Sequence, residues 1–368
     1  MTIEAFDISV ADDVLVDLRE RLRRTLYTTP SDSAFWAAGV DPGYLRELVA
    51  YWAGEFDWRA AEAGLNAFPH FRAEVAGRKV HYVHLRSERP GGGTPLVLTH
   101  GWPSSFVEML RVAPLLTDRF DVVIPSLPGF AFSELPREKF TRRGVAEIWH
   151  KLMTETLGYE RFGAFGGDIG GGVTQWLGAL YPQSVIGVHV TSAVLTADFS
   201  ERPATPEEQA YLDHLAAYDA RDQGYSEIMW TRPDTIAAAL ADSPAGLIAW
   251  IIDKYRDWSD CDGDLERKWD KDTLCTVATL YWATGTIGSS FRQYYDYPAN
   301  RPVPPISVPA AVTLSCEPAF AGLPRSLPER LCSDLRHWST PGRGGHFMAH
   351  EEPEQVSREI HTFFGPLS

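Results

Sequence analysis

Apolar residues recur at helical spacing in two stretches near the amino terminus. Val14, Leu15, Leu18, Leu22 and Leu26 share one face over residues 11–26, and Leu45, Leu48, Val49 and Trp52 do so over 42–56. Both stretches predict amphipathic helices. From about residue 78 the period shortens to two: Val80, Tyr82 and Val83-His84-Leu85 predict a strand, followed by a turn at Pro90-Gly91-Gly92-Gly93. Short, nearly continuous apolar runs then occupy 95–99, 121–124, 161–165 and 185–190. Such runs predict parallel strands buried on both faces, with helices between them. From about 200 to 300 the strand pattern gives way to helical, aromatic-rich sequence, and it resumes at 308–314. A helical insertion of that size predicts a cap over the carboxyl ends of the strands, where open α/β sheets bind ligands. The last helix is predicted over 353–364, with Pro353 in its first turn. The expected organisation is a helical wrapping segment at 1–77, a first core part at 78–198, a cap at 199–302 and a second core part at 303–368.

Composition narrows the classes of function. At 368 residues the chain can bury a large core without covalent staples. Cys261, Cys275, Cys316 and Cys332 form no CxxC pair, and the start Glu4-Ala5-Phe6-Asp7 is acidic rather than an apolar leader. Both features predict reduced thiols and a cytoplasmic protein. No stretch reaches the length of a membrane span, and the apolar run at 245–252 is too short. A formal charge of -15 disfavours nucleic acid and anionic membranes as partners, since both would repel it. The expected partner is a small molecule; oligomeric state stays open, with a homodimer one arrangement.

Chemistry concentrates in Gly166-Gly167-Asp168-Ile169-Gly170-Gly171, directly after an apolar run. Glycines there permit a tight strand-to-helix turn that lifts Asp168 above the sheet, at the position where an α/β-hydrolase carries its nucleophile. A serine would imply acyl transfer, whereas an aspartate attacks carbon and becomes an alkyl ester. A phosphate-binding loop would end in Lys and Ser or Thr; here the glycines lead to Val173-Thr174-Gln175-Trp176. His100-Gly101-Trp102-Pro103 follows a predicted strand, where a loop can supply one oxyanion-hole N–H from Trp102, with Ile169 supplying the other. Among 11 histidines, His346 in Arg343-Gly344-Gly345-His346-Phe347 stands late in the chain, as a base following its nucleophile and acid would. His84 and His214 read as surface or core residues.

Taken together, His100-Gly101-Trp102-Pro103, Gly166-Gly167-Asp168-Ile169-Gly170 and Arg343-Gly344-Gly345-His346-Phe347 resemble the motifs of epoxide hydrolases of the microsomal type, the group that includes juvenile hormone epoxide hydrolases. Similarity extends to Tyr51-Trp52, Glu55-Phe56-Asp57-Trp58 and Phe68-Pro69-His70-Phe71 of the amino-terminal segment. In the cap it covers Thr231-Arg232-Pro233-Asp234-Thr235 and Leu280-Tyr281-Trp282-Ala283-Thr284-Gly285-Thr286-Ile287. The resemblance implies an α/β-hydrolase fold with a mostly parallel sheet, a helical cap inserted after the sixth strand and an amino-terminal wrapping segment. It maps the family's two cap tyrosines onto Tyr225 and Tyr294. Membrane-bound members of the family carry an amino-terminal anchor, whereas this sequence reads from the wrapping segment onward, so membrane attachment is not expected from the resemblance; a second departure is the position of the acid. Where the family places a carboxylate beyond a Phe-Pro pair, this chain has Leu314-Ser315-Cys316-Glu317-Pro318. Glu317 is expected to orient His346, with Asp198 the substitute.

The implied reaction opens an epoxide by attack of Asp168, with Tyr225 and Tyr294 protonating the leaving oxygen. His346 then activates water against the ester to release a vicinal diol. No metal, flavin or nucleotide cofactor is required. Trp230, Trp250, Trp258, Trp282 and Tyr281 suggest a roomy apolar pocket for a bulky or aryl epoxide, the alternative being that most of them belong to the core. Similarity to bacterial enzymes of enediyne antibiotic biosynthesis suggests a natural-product intermediate. A haloalkane dehalogenase would use the same aspartate with indole or amide donors for halide, and Trp102 would suit it. A ligand-binding protein on the same fold, without catalysis, is the alternative of another class.

Overall fold

The computed structural model describes residues 2–31, 35–192, 199 and 202–368; Asp198 lies outside them. Among the described residues one sheet contains β1 (Ile3–Ala5), β2 (His70–Val75), β3 (Arg78–Leu85), β4 (Thr94–Thr99), β5 (Phe120–Pro125), β6 (Phe162–Gly167), β7 (Val185–Thr191), β8 (Ala310–Thr313) and β9 (Leu335–Ser339). Their spatial order is β1-β2-β3-β5-β4-β6-β7-β8-β9. Pairing is antiparallel from β1 through β3 to β5 and parallel from β5 to β9. Every residue of β5, β6 and β7 is buried, as the continuous apolar runs require of strands covered on both faces.

The predicted helices at the amino terminus are Asp12–Arg23 and Pro42–Gly54. Leu26, expected on the first, lies beyond its end and is exposed. Asp41 and Asp57 cap the helices Pro42–Gly54 and Trp58–Asn66, each carboxylate accepting two backbone N–H bonds. The 1–77 segment is not wholly helical: β1 and β2 extend the sheet edge, because β2 pairs with β3 along its whole length. Between β4 and β5 the expected helix is replaced by short 3-10 turns at Phe106–Leu110 and Ala113–Leu116. The helical insertion runs from Pro206–Asp222 to Arg292–Tyr295 and follows β7. It therefore follows the seventh strand of this sheet rather than the expected sixth, because β1 adds a strand at the amino-terminal edge. The final helix is Pro353–Phe364.

Candidate active site

Asp168 joins β6 to the helix Asp168–Leu180 with φ at 48°, a left-handed conformation uncommon outside glycine. Two close approaches hold it there. A Cβ on Gly170 would lie 2.0 Å from the Thr99 carbonyl oxygen, so the helix can press onto the end of β4 only without a side chain. A Cβ on Gly101 would lie 2.5 Å from Asp168 Cβ and Oδ1. The Asp168 N–H donates to the Ser192 carbonyl at 2.9 Å, tying the turn to the end of β7.

The carboxylate oxygens have different surroundings. Oδ1 accepts the Trp102 N–H at 3.1 Å. Ile169 follows in the first helical turn, where N–H groups lack intrahelical acceptors. Oδ2 faces His346, whose Nε2 is 4.0 Å away. The other ring nitrogen, Nδ1, pairs with Glu317 Oε2 at 2.8 Å, and both partners are buried. Glu317 stands just past β8, so the shifted acid reaches the histidine. Burial alone would disfavour the imidazolium. The Glu317, Asp168 and Glu108 carboxylates outweigh it and push His346 up to about 9.

Tyr225, on the helix Gly224–Thr231, and Tyr294, on Arg292–Tyr295, descend from the insertion. Their rings meet edge to face with centroids 5.9 Å apart. Each packs against Trp102, Tyr225 stacked at 5.5 Å and Tyr294 at 5.6 Å. Both phenols are held well above the usual range, first by burial, with the Asp168 charge contributing. They therefore stay protonated and able to donate.

Asp168, Tyr225, Tyr294, Glu317 and His346 all border one cavity of about 340 Å³. Its walls mix aromatic and apolar side chains with charged ones. Trp230 and Trp258 line it, but so do Arg142, Asp219, Asp222, Gln223 and Glu227. Trp250 and Trp282 instead pack against the core, and Tyr281 is buried with its hydroxyl donating to the Ser104 carbonyl at 2.9 Å. The Trp102 indole is fully buried beneath Tyr225, and its N–H has no partner.

Two supporting residues, Glu108 and Glu351, escaped the sequence reading, and Trp258, expected only as a pocket wall, also supports the histidine. Glu108, buried in the 3-10 turn after Trp102, is pushed up to about 7 by burial. Its signal was a lone carboxylate inside Phe106-Val107-Glu108-Met109-Leu110, since acids are seldom buried without a role. Glu351 accepts the N–H groups of Asp260, Gly345 and Phe347, fixing the histidine loop. Trp258 accepts the His346 N–H on its carbonyl at 2.8 Å, and its ring lies 4.9 Å from the imidazole.

A family model described as the epoxide hydrolase N terminus matches residues 3–109, and one for the alpha/beta hydrolase fold matches 94–230. A protein of Stigmatella aurantiaca assigned as an epoxide hydrolase is 38% identical, over 99% of this chain and 85% of its own length. Epoxide hydrolase 1 of Sus scrofa is 33% identical over 100% and 89%. The chain belongs to the epoxide hydrolase family. The crystal structure of juvenile hormone epoxide hydrolase from the silkworm Bombyx mori superposes with a TM-score of 0.90 at 28% identity, covering 100% of this chain and 95% of that one. As an epoxide hydrolase with an α/β-hydrolase fold, the protein carries the elbow aspartate and the two tyrosines of the helical insertion on the lining of one cavity. Among the described residues no single helix is long and apolar enough to cross a membrane.

Proposed function

We propose that this epoxide hydrolase works through a covalent ester on Asp168. The observation that carries the reading is the division of labour between its two oxygens. Oδ1 is occupied by the Trp102 N–H, while Oδ2 faces His346 and the cavity. Oδ2 attacks an epoxide carbon, the carbon–oxygen bond breaks, and the electron pair passes to the leaving oxygen. Tyr225 and Tyr294 hydrogen-bond to that oxygen, and one of them supplies its proton. The product is a hydroxyalkyl ester, and the Asp168 charge is gone.

That loss prepares the second step. The Asp168 charge is one of those that raise His346, so esterification lowers the imidazole's affinity for its proton. A proton passes from His346 to the tyrosinate or to solvent, leaving a neutral base held by Glu317. Water gives that base a proton and attacks the ester carbonyl, whose oxygen becomes an oxyanion against the N–H groups of Trp102 and Ile169. Collapse restores Asp168 and releases a vicinal diol. The buried, stacked Trp102 indole borders the ring of Tyr225 rather than the cavity, which favours epoxide over halide chemistry. The cavity suits a bulky or aryl epoxide, with a natural-product intermediate among the candidates. Free thiols at all four cysteines go with a reducing, cytoplasmic setting.

A single turnover of styrene oxide in H2 18-O tests the scheme. The label should enter the Asp168 carboxylate, and the first diol released should be unlabelled. Solvent oxygen in that first diol would mean direct attack by water and would overturn it.

A further inference from the structure

Arg142 is a cationic side chain on the lining of the active-site cavity. Among the described residues it takes part in no ion pair, and its Nε is buried without a hydrogen-bond partner. This is notable in a chain with 49 acidic and 34 basic residues, where its neighbour Arg143 pairs with Glu147 at 2.9 Å. A stability role does not account for it. Arg142 opens the helix Arg142–Lys151, and a cation at a helix amino terminus opposes the macrodipole. Among the described residues its side chain has one contact of electrostatic kind, with the Tyr297 ring, 5.3 Å from the guanidinium carbon.

The helix of the nucleophile is shaped to admit this side chain. A Cβ on Gly172 would fall 2.4 Å from Arg142 Cδ and 2.8 Å from its Nε. Gly172 thus lets the arginine lie across the helix and reach the cavity. It is one turn beyond Asp168, about 6 Å along the axis. Opposite, Asp222 is tied to Lys254 at 2.7 Å and to the Trp258 N–H at 3.0 Å, so it is not a partner for Arg142.

We propose that Arg142 determines substrate choice, its guanidinium receiving a hydrogen-bond-accepting oxygen, of a carbonyl or a carboxylate, at the end of the substrate remote from the oxirane. The inference rests on the epoxide hydrolase reading and adds the chemical class of what the oxirane is attached to. A planar fork of donors suits either oxygen type. The acidic residues Asp219 and Glu227 on the same cavity bear on which one is preferred.

Kinetics on three substrates test it: styrene oxide, its 4-methoxycarbonyl derivative and its 4-carboxy derivative, each with wild type, Arg142→Met and Arg142→Lys. Wild type should favour at least one acceptor-bearing substrate over styrene oxide in kcat/KM. Arg142→Met should cut that preference about tenfold or more, mainly through KM, because a hydrogen bond to a charged group is being removed. Arg142→Lys should restore part of it. Preference for the ester would identify a neutral carbonyl, and preference for the acid a carboxylate. An acceptor-to-styrene-oxide ratio within twofold of wild type in Arg142→Met, including an equal loss on all three substrates, would overturn the proposal. Styrene oxide turnover with unchanged ratios would sink only this inference, whereas no diol from any of the three would overturn the parent reading and this with it.

Discussion

His346, on the loop after β9, and His189, in the middle of β7, are both shielded from solvent. Burial disfavours the cation at each, yet they end up on opposite sides of neutrality. His189 has Thr313 Oγ1 at 2.8 Å for one nitrogen and no partner for the other, with His337 nearby, and is pushed down to about 3. His346 has Glu317 in contact and Asp168 within 4.0 Å, and is pushed up to about 9. A buried imidazole without charged neighbours is therefore neutral, and the carboxylates around His346 make it a stable cation. In the proposed cycle one of those carboxylates is consumed by the chemistry itself.

Removing the nucleophile should have the largest effect. Asp168→Ala should abolish diol formation, by about 10⁴-fold or more, and should lower the pKa of His346 because one of its supporting charges is gone. NMR titration of the imidazole would read that shift, and an unmoved value would mean that Asp168 does not support the cation. Next in size is His346→Gln, which should open the epoxide once and then stall, with steady-state turnover down about 10²–10⁴-fold. Intact-protein mass spectrometry should find one substrate adduct on Asp168. An unmodified variant after long incubation with a confirmed substrate would count against a two-step path.

The elements that make this contrast were unequally legible in the sequence. The buried parallel strands announced themselves as apolar runs because both faces are covered. The elbow did so through glycines that leave room for Thr99 and Asp168. In contrast, β1 is three exposed residues and β9 is half-buried, so neither carries a hydrophobic signal; both are held by pairing with distant segments. Which aromatic residues line the cavity was only partly legible for a related reason. Aromatic residues at helical spacing mark a buried face, but spacing does not distinguish packing against the core from lining a cavity, and Trp250, Trp282 and Tyr281 do the former. Glu317 could be chosen from its place after β8, while its contact with His346 depends on how that loop meets the one after β9.

Glu317→Gln sharpens the comparison by making His346 resemble His189. The imidazole loses its closest carboxylate, its pKa should fall, and the imidazolium formed during water activation is less stabilised. Turnover should fall about 10²–10³-fold, less than on losing the histidine, with ester accumulating in a rapid quench. Asp198→Asn should do much less, and the reverse pattern would transfer the role to Asp198. The cap tyrosines come next. Tyr225→Phe or Tyr294→Phe should each slow ester formation about 10–10²-fold, since the other phenol remains, and the double change should nearly stop it. Single-turnover traces showing slower hydrolysis with unchanged alkylation would mean the phenols serve another step.

The smallest effect is on stability, and its sign differs between the two histidines. An unfolded imidazole titrates near 6.5, whereas folded His346 keeps its proton up to about 9. Between those values the folded state holds the extra proton, so this contribution is fully present below about 6.5 and is lost as pH rises through 9. Folded His189 titrates near 3, so there the unfolded state holds the extra proton. Its contribution is present above 6.5 and is lost as pH falls towards 3. One proton changes stability by at most about 1.4 kcal/mol per pH unit, roughly 1–2 °C in Tm for a chain of this length. Scanning calorimetry should therefore find the alkaline fall of Tm shallower in His346→Gln and the acid fall shallower in His189→Gln. If each variant only lowers Tm by a constant amount across pH 4–10, the histidines are not the groups whose protonation is coupled to folding, and the electrostatic contrast between them fails.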